Sequence, residues 1–143
     1  MPFDFPVNIS SRFSATSWTE TPISDVAGAG KLSRATIVNA LSGGIEGEGA
    51  LEYQLAYPAV AGGDVPFIGY ERIVSLAAGR EGSFIVKHDG CFSPLAGVSG
   101  KLDIVPGSGT GVFANVGGSG IIKAVAGEHG GEYCLVLDRL RGA

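Results

Sequence analysis

Apolar and polar side chains alternate along most of this chain. Over residues 97–106 one set of positions carries Val98, Gly100, Leu102 and Ile104, and the other carries Ser99, Lys101 and Asp103. Over 82–92, Phe84, Val86, His88, Gly90 and Phe92 share a face, against Ser83, Ile85, Lys87 and Asp89. Over 45–57 the odd positions are Ile45, Gly47, Gly49, Leu51, Tyr53 and Leu55, and the even ones include Glu46, Glu48, Ala50, Glu52 and Gln54. Successive strand side chains point to opposite faces, so a period of two predicts strands with one buried and one wet face. Eight such segments are predicted: 11–18, 31–42, 45–57, 65–76, 82–92, 97–106, 118–127 and 131–140. No window of about 11 residues keeps a helical apolar spacing free of glycine.

Short glycine-bearing connections join these segments, and no helical crossover is available, so the sheet is expected to be antiparallel and up-and-down. Eight strands without obvious edge protection are best satisfied by closure. The expected fold is all-β: one domain over 1–143, a closed eight-stranded antiparallel barrel with at most one short helical turn. The last two segments contain IIKAV and YCLVL, which are apolar on both faces. Outer apolar faces need covering, and a homo-oligomer is therefore expected.

Composition narrows the function classes. Hydrophobic residues make up 45% and charged residues 17% of the chain, which excludes a disordered segment. The 24 glycines have no three-residue period, so they mark turns and close approaches rather than a collagen-like fibre. A formal charge of −4 with no Lys/Arg cluster argues against nucleic acid, and no basic amphipathic stretch points to a membrane. No segment approaches the ~18 consecutive apolar residues of a spanning helix. The beginning, MPFDFPVNISSRF, lacks the features of a signal peptide, and a cytoplasmic location is expected. Cys91 and Cys134 then read as a reduced pair. With two histidines and no Cys-x-x-Cys, neither a metal nor a cofactor is implied.

The stretch VPGSGTGVFANVGGSG over 105–120 tests a phosphate reading. A P-loop needs Gly-Lys-Ser/Thr, and no lysine lies between Leu102 and Ile122. The segment 109–114 does fit G-x-G-x-x-A, but Gly117 and Gly118 leave room for about one helical turn, too little to hold a pyrophosphate. The stretch reads instead as a corner, with a small plug near 111–116 whose Val112, Phe113 and Val116 close one end of the barrel.

GTGVFANVGGSG resembles the Gly-Thr/Ser-Gly-x-Phe signature of allene oxide cyclase and dirigent barrels. The blocks KLSRA, GGIEGEGALEYQLAY, FIGYERI, GREGSFIVKHDGCF and VPGSGTG, in order over most of residues 31–120, resemble a bacterial family of unknown function, number 3224 among such domains. That family is placed in the same superfamily. The resemblance implies an eight-stranded antiparallel barrel that associates as an oligomer, and brings no activity with it.

Single residues suggest what the barrel could do. His88 shares the face of Phe84, Val86 and Phe92, so it points into an apolar interior, either as a general base or as a satisfied core histidine. Glu71 shares a face with Phe67, Gly69 and Ile73, where a carboxylate needs a partner or a raised pKa. The opposite face, Ile68, Tyr70, Arg72 and Val74, is also mixed, so a solvent-side Glu71 in a surface ion pair stays open. Glu46, Glu48 and Glu52 share what reads as a solvated face; in the opposite register Glu48 would line the lumen. Trp18, Tyr53, Phe84 and Phe92 are candidate lumen aromatics, Ser83 offers no convincing Ser–His arrangement, and His129 reads as an exposed turn residue. Three functions stay open: a lumen that binds a small, mostly apolar molecule, with His88 and Glu71 orienting it; a cofactor-independent cyclase or isomerase acting there; and a filled barrel with a structural or interaction role.

Overall fold

The computed structural model describes residues 3–125 and 130–140. Its strands are β1 Val7–Val26, β2 Gly30–Gly43, β3 Gly47–Tyr57, β4 Val65–Ser75, β5 Gly82–Ser93, β6 Gly97–Ile104, β7 Thr110–Gly111, β8 Val116–Ala124 and β9 Gly130–Arg139. All pairings are antiparallel. The order β4-β3-β2-β1-β9-β8-β6-β5-β7, with β4 also paired to β5, closes an eight-stranded barrel. The two-residue β7 is an addition, paired to the start of β5. The expected barrel is therefore observed, and no helix occurs among the described residues.

The largest departure lies in β1, which continues eight residues past the expected end at Trp18. Beyond Ser14 it no longer pairs with β9, and from Ala15 to Val26 its one partner among the described residues is β2. An edge of this kind tolerates Pro22, which has no N–H to give a second neighbour. That proline and the polar run TETPISD hide the strand from an alternation reading. The expected end of strand 118–127 and the turn residue His129 lie outside the described residues. Cys91 and Cys134 are free thiols.

The two ends of the barrel are built differently. At one end Ile73, Phe84, Val86, Leu102, Leu135 and Leu137 are buried together. Phe113 caps them, its ring 4.9 Å from Phe84 and 5.4 Å from Phe3. The corner that delivers Phe113 is a run of tight turns: Phe113 N–H donates to Thr110 O at 3.0 Å, and Ala114 N–H to Gly111 O at 3.1 Å. Gly109 is required there, because a Cβ would collide with the Phe113 carbonyl. The plug reading thus holds. On the outside, Ile121 of β8 and Val136 of β9 are about half exposed, while Ile122, Tyr133 and Leu135 face inward.

Candidate functional site

Five polar side chains meet between the filled end and the rest of the lumen. Alternation brings each inward: Asn39 from β2, Tyr53 from β3, Glu71 from β4, His88 from β5 and Tyr133 from β9. Glu71 and His88 are wholly inaccessible. His88 Nε2 lies 2.9 Å from Glu71 Oε1, and Tyr133 O–H donates to that same oxygen at 2.8 Å. Asn39 Nδ2 donates to Glu71 Oε2 at 3.2 Å and to the Tyr133 hydroxyl oxygen at 3.2 Å. On the far side of the imidazole, Tyr53 OH sits 2.8 Å from His88 Nδ1.

With Glu71 as the shared acceptor, the proton assignments follow. His88 Nε2 carries a hydrogen toward the carboxylate, so neutral His88 has Nδ1 free to accept from the Tyr53 hydroxyl. The Asn39 amide must turn its nitrogen to Glu71, because a carboxylate offers no donor. Burial, and then the Glu71 charge, pushes the Tyr53 phenol above its ordinary range. The same two causes raise Tyr133. Both phenols therefore stay protonated and act as hydrogen-bonding groups. No buried side-chain polar atom among the described residues lacks a partner, which is the condition for placing such groups in a barrel core.

The sequence makes room for this cluster at Gly49, which pairs directly with Asn39. A Cβ at Gly49 would collide with Glu71 Oε2. A residue that looks like a weak strand former is the space the carboxylate occupies.

Beyond the cluster the barrel is hollow. A cavity of about 630 Å³ is walled by Ile37, Leu51, Leu55, Val65, Phe67, Val98 and Ile122. Of the cluster, Tyr53 and Asn39 line it, while Glu71, His88 and Tyr133 stand behind them. Trp18, 51% exposed, and Phe92, 38% exposed, flank the mouth. A second polar group holds the rim. Glu20 accepts from Tyr57 O–H at 2.7 Å, Ser33 O–H at 2.8 Å and Trp18 Nε1–H at 3.2 Å. Lys31 Nζ lies 4.5 Å from the Tyr57 ring centroid. Partial burial would raise the Glu20 carboxyl, but the hydrogen bonds from Tyr57, Ser33 and Trp18 and the Lys31 charge outweigh it and hold the group below its usual range. Tyr57 is pushed up to about 12 by burial and by its bond to Glu20.

The candidates sort accordingly. His88 and Glu71 are brought together, Tyr53 joins them, and Trp18 and Phe92 line the cavity. A solvent-side Glu71 is excluded. Two assignments need correction. Phe84 is in the filled end against Phe113, because the plug occupies the lumen at its level. Glu48 is on the outer face, since the odd positions of β3 turn inward. Sequence reasoning missed Asn39, Tyr133 and the Glu20–Tyr57 rim. Asn39 could have been found as a polar residue on the apolar face Ala35–Ile37–Leu41; Tyr133 could not, because both faces of its strand are apolar. Among the described residues no group of three or more His, Cys, Asp or Glu side chains is arranged to hold a metal ion.

Comparison with known proteins adds a family. The profile of the family described as "Protein of unknown function (DUF3224)" matches residues 9–135. A crystal structure of a protein with unknown function from the DUF3224 family of Shewanella oneidensis MR-1, at 1.84 Å resolution, superposes with a TM-score of 0.72. It is 23% identical, and the match covers 93% of this chain and 96% of that one, which supports the shared fold. No curated protein matches.

Proposed function

We propose, for a chain that belongs to the DUF3224 family and takes no activity from it, that the hollow half of the barrel binds a small, mostly apolar molecule. The observation that carries this reading is the chamber itself: about 630 Å³, apolar in its walls, with Tyr53 and Asn39 set against it by a buried Glu71–His88 pair. That volume lies within the range of about 300–1,000 Å³ usual for small-molecule sites. Apolar walls supply affinity, and a few fixed polar groups set orientation. The likeness of the corner to allene oxide cyclase and dirigent barrels belongs to the same proposal, supported by the closed barrel and the Phe113 plug.

The test uses a fluorescent apolar probe, 1-anilinonaphthalene, and a variant that fills the chamber, Leu51→Trp. Binding of one probe per chain, with a change in Trp18 emission, is expected in the unaltered protein and lost in the variant. Absence of binding, or equal binding by a folded Leu51→Trp protein, overturns the proposal.

A second reading is favoured by one further observation, the chain Tyr53–His88–Glu71 with links of 2.8 and 2.9 Å. Such a relay passes a proton between a ligand and His88 through the Tyr53 hydroxyl, the requirement of a keto–enol isomerase or a cyclase. Binding alone predicts that His88→Ala weakens retention of the ligand. Catalysis predicts that turnover is lost while the ligand still binds. Deuterium uptake at the α-carbon of apolar ketones, followed by NMR, separates the two.

A further inference from the structure

The polar equipment of the chamber has a direction. Asn39 is 2% exposed and lines the cavity. Its nitrogen faces Glu71 and Tyr133, at 3.2 Å each, and the carboxylate fixes that orientation. Its Oδ1 is the atom left over: it accepts no hydrogen bond from a described residue, and since no enclosed side-chain polar atom there lacks a partner, it is open to the cavity that Asn39 lines. A carbonyl open to an apolar chamber is an acceptor waiting for a donor. Of the other wall hydroxyls besides Tyr53, Thr16 donates to Val38 O at 3.2 Å, Tyr57 donates to Glu20 at 2.7 Å, and Ser17 is exposed near the half-exposed Trp18.

Tyr53 complements this arrangement. With neutral His88 its O–H is directed at Nδ1, so its oxygen accepts; with protonated His88 the direction reverses and it can donate. Asn39 has no such freedom, because Glu71 holds its amide.

We infer that the chamber takes an apolar molecule bearing a hydroxyl group, an alcohol or a phenol, whose O–H donates to Asn39 Oδ1. The inference rests on the lumen-binding reading and adds the class of ligand to it. A ketone or an ether of the same shape displaces water from Asn39 Oδ1 and returns no hydrogen bond, leaving a desolvated acceptor. A hydroxyl also suits Tyr53 in either protonation state of His88, since it both donates and accepts.

The experiment compares matched pairs by titration calorimetry: 2-naphthol against 2-methoxynaphthalene, and 4-phenylphenol against 4-methoxybiphenyl. The methyl ether is the more apolar member, and burial of its extra carbon alone favours it by about fourfold. A donor requirement reverses the order, with the phenol about tenfold or more tighter. In Asn39→Val the preference collapses; in Trp18→Ala, at the mouth, both ligands weaken and the preference stays. Ethers that bind as well as phenols overturn the inference and leave lumen binding intact. A phenol preference that survives in Asn39→Val overturns the assignment to Asn39. If neither member of either pair binds, the lumen reading falls and the inference with it. The ratio in the unaltered protein decides the matter even if Asn39→Val does not fold.

Discussion

Replacing Glu71 by leucine measures what the buried cluster demands of the barrel. Three donors converge on this wholly inaccessible carboxylate: His88 Nε2 at 2.9 Å, Tyr133 O–H at 2.8 Å and Asn39 Nδ2 at 3.2 Å. Leucine is of similar size and accepts nothing. A buried polar group left without its partner costs about 1–3 kcal/mol, so three give about 3–9 kcal/mol. Asn39 and Tyr133 still face one another at 3.2 Å, which places the loss toward the lower end. The lower part of that range is about 3–5 kcal/mol. Against a total stability of about 5–15 kcal/mol this is severe but survivable. With a urea slope of about 2 kcal/mol per molar, the midpoint should fall by about 1.5–2.5 M, read by far-UV circular dichroism. A companion variant makes the whole cluster apolar: Glu71→Leu, His88→Leu and Asn39→Leu with Tyr53→Phe and Tyr133→Phe. It should recover most of the loss, because replacing every partner together is often neutral or stabilising. A Glu71→Leu protein within about 1 kcal/mol of the parent would refute the reasoning. So would a fully apolar variant less stable than the single one, since the cluster would then be serving the fold.

Gly49→Ala should lose about 1–3 kcal/mol through the collision of its Cβ with Glu71 Oε2, and less in the Glu71→Leu background; urea midpoints of the four combinations check it. Phe113→Ala should lose about 3–5 kcal/mol, because Phe113 is wholly buried where it closes the filled end; equal stability would show that the plug is dispensable. The Tyr57 phenol should titrate near 12 by 13C NMR and return toward 10 in Glu20→Gln. Its folded pKa is raised, so its contribution to stability is complete below the unfolded value near 10 and is lost as pH rises through about 12. Glu20 has the opposite sign: its folded pKa is lowered, so its contribution is present above the ordinary carboxylate value and is lost as pH falls through the folded one.

The barrel was legible because alternation is a local property, visible wherever one face is wet. His88 and the odd face of β3 followed from it directly. Alternation became ambiguous where both faces were mixed, as around Glu71, and uninformative where both were apolar, as around Tyr133. It misled at Phe84, which shares a face with His88 yet sits at a level the plug has filled. Position along the barrel axis depends on the register of all the strands, and no single segment contains it. The outer half of β1 was hidden for a different reason: with one partner strand among the described residues and wet surroundings, it needs no apolar stripe.

The division of this barrel into a solid end and a hollow end separates two kinds of evolutionary freedom. The solid end, around Phe84, Phe113 and Leu137, is close-packed, and a change of one methylene there is felt by the whole fold. The chamber walls, Ile37, Leu51, Leu55 and Val65, border empty space, and the cluster between the two ends screens the packed core from whatever happens above it. A chain of this architecture can therefore change the shape of its chamber while the lower storey stays unchanged. Under the lumen-binding proposal, wall residues that contribute little to the solid end would set selectivity, with Glu71 and His88 as the floor of the chamber.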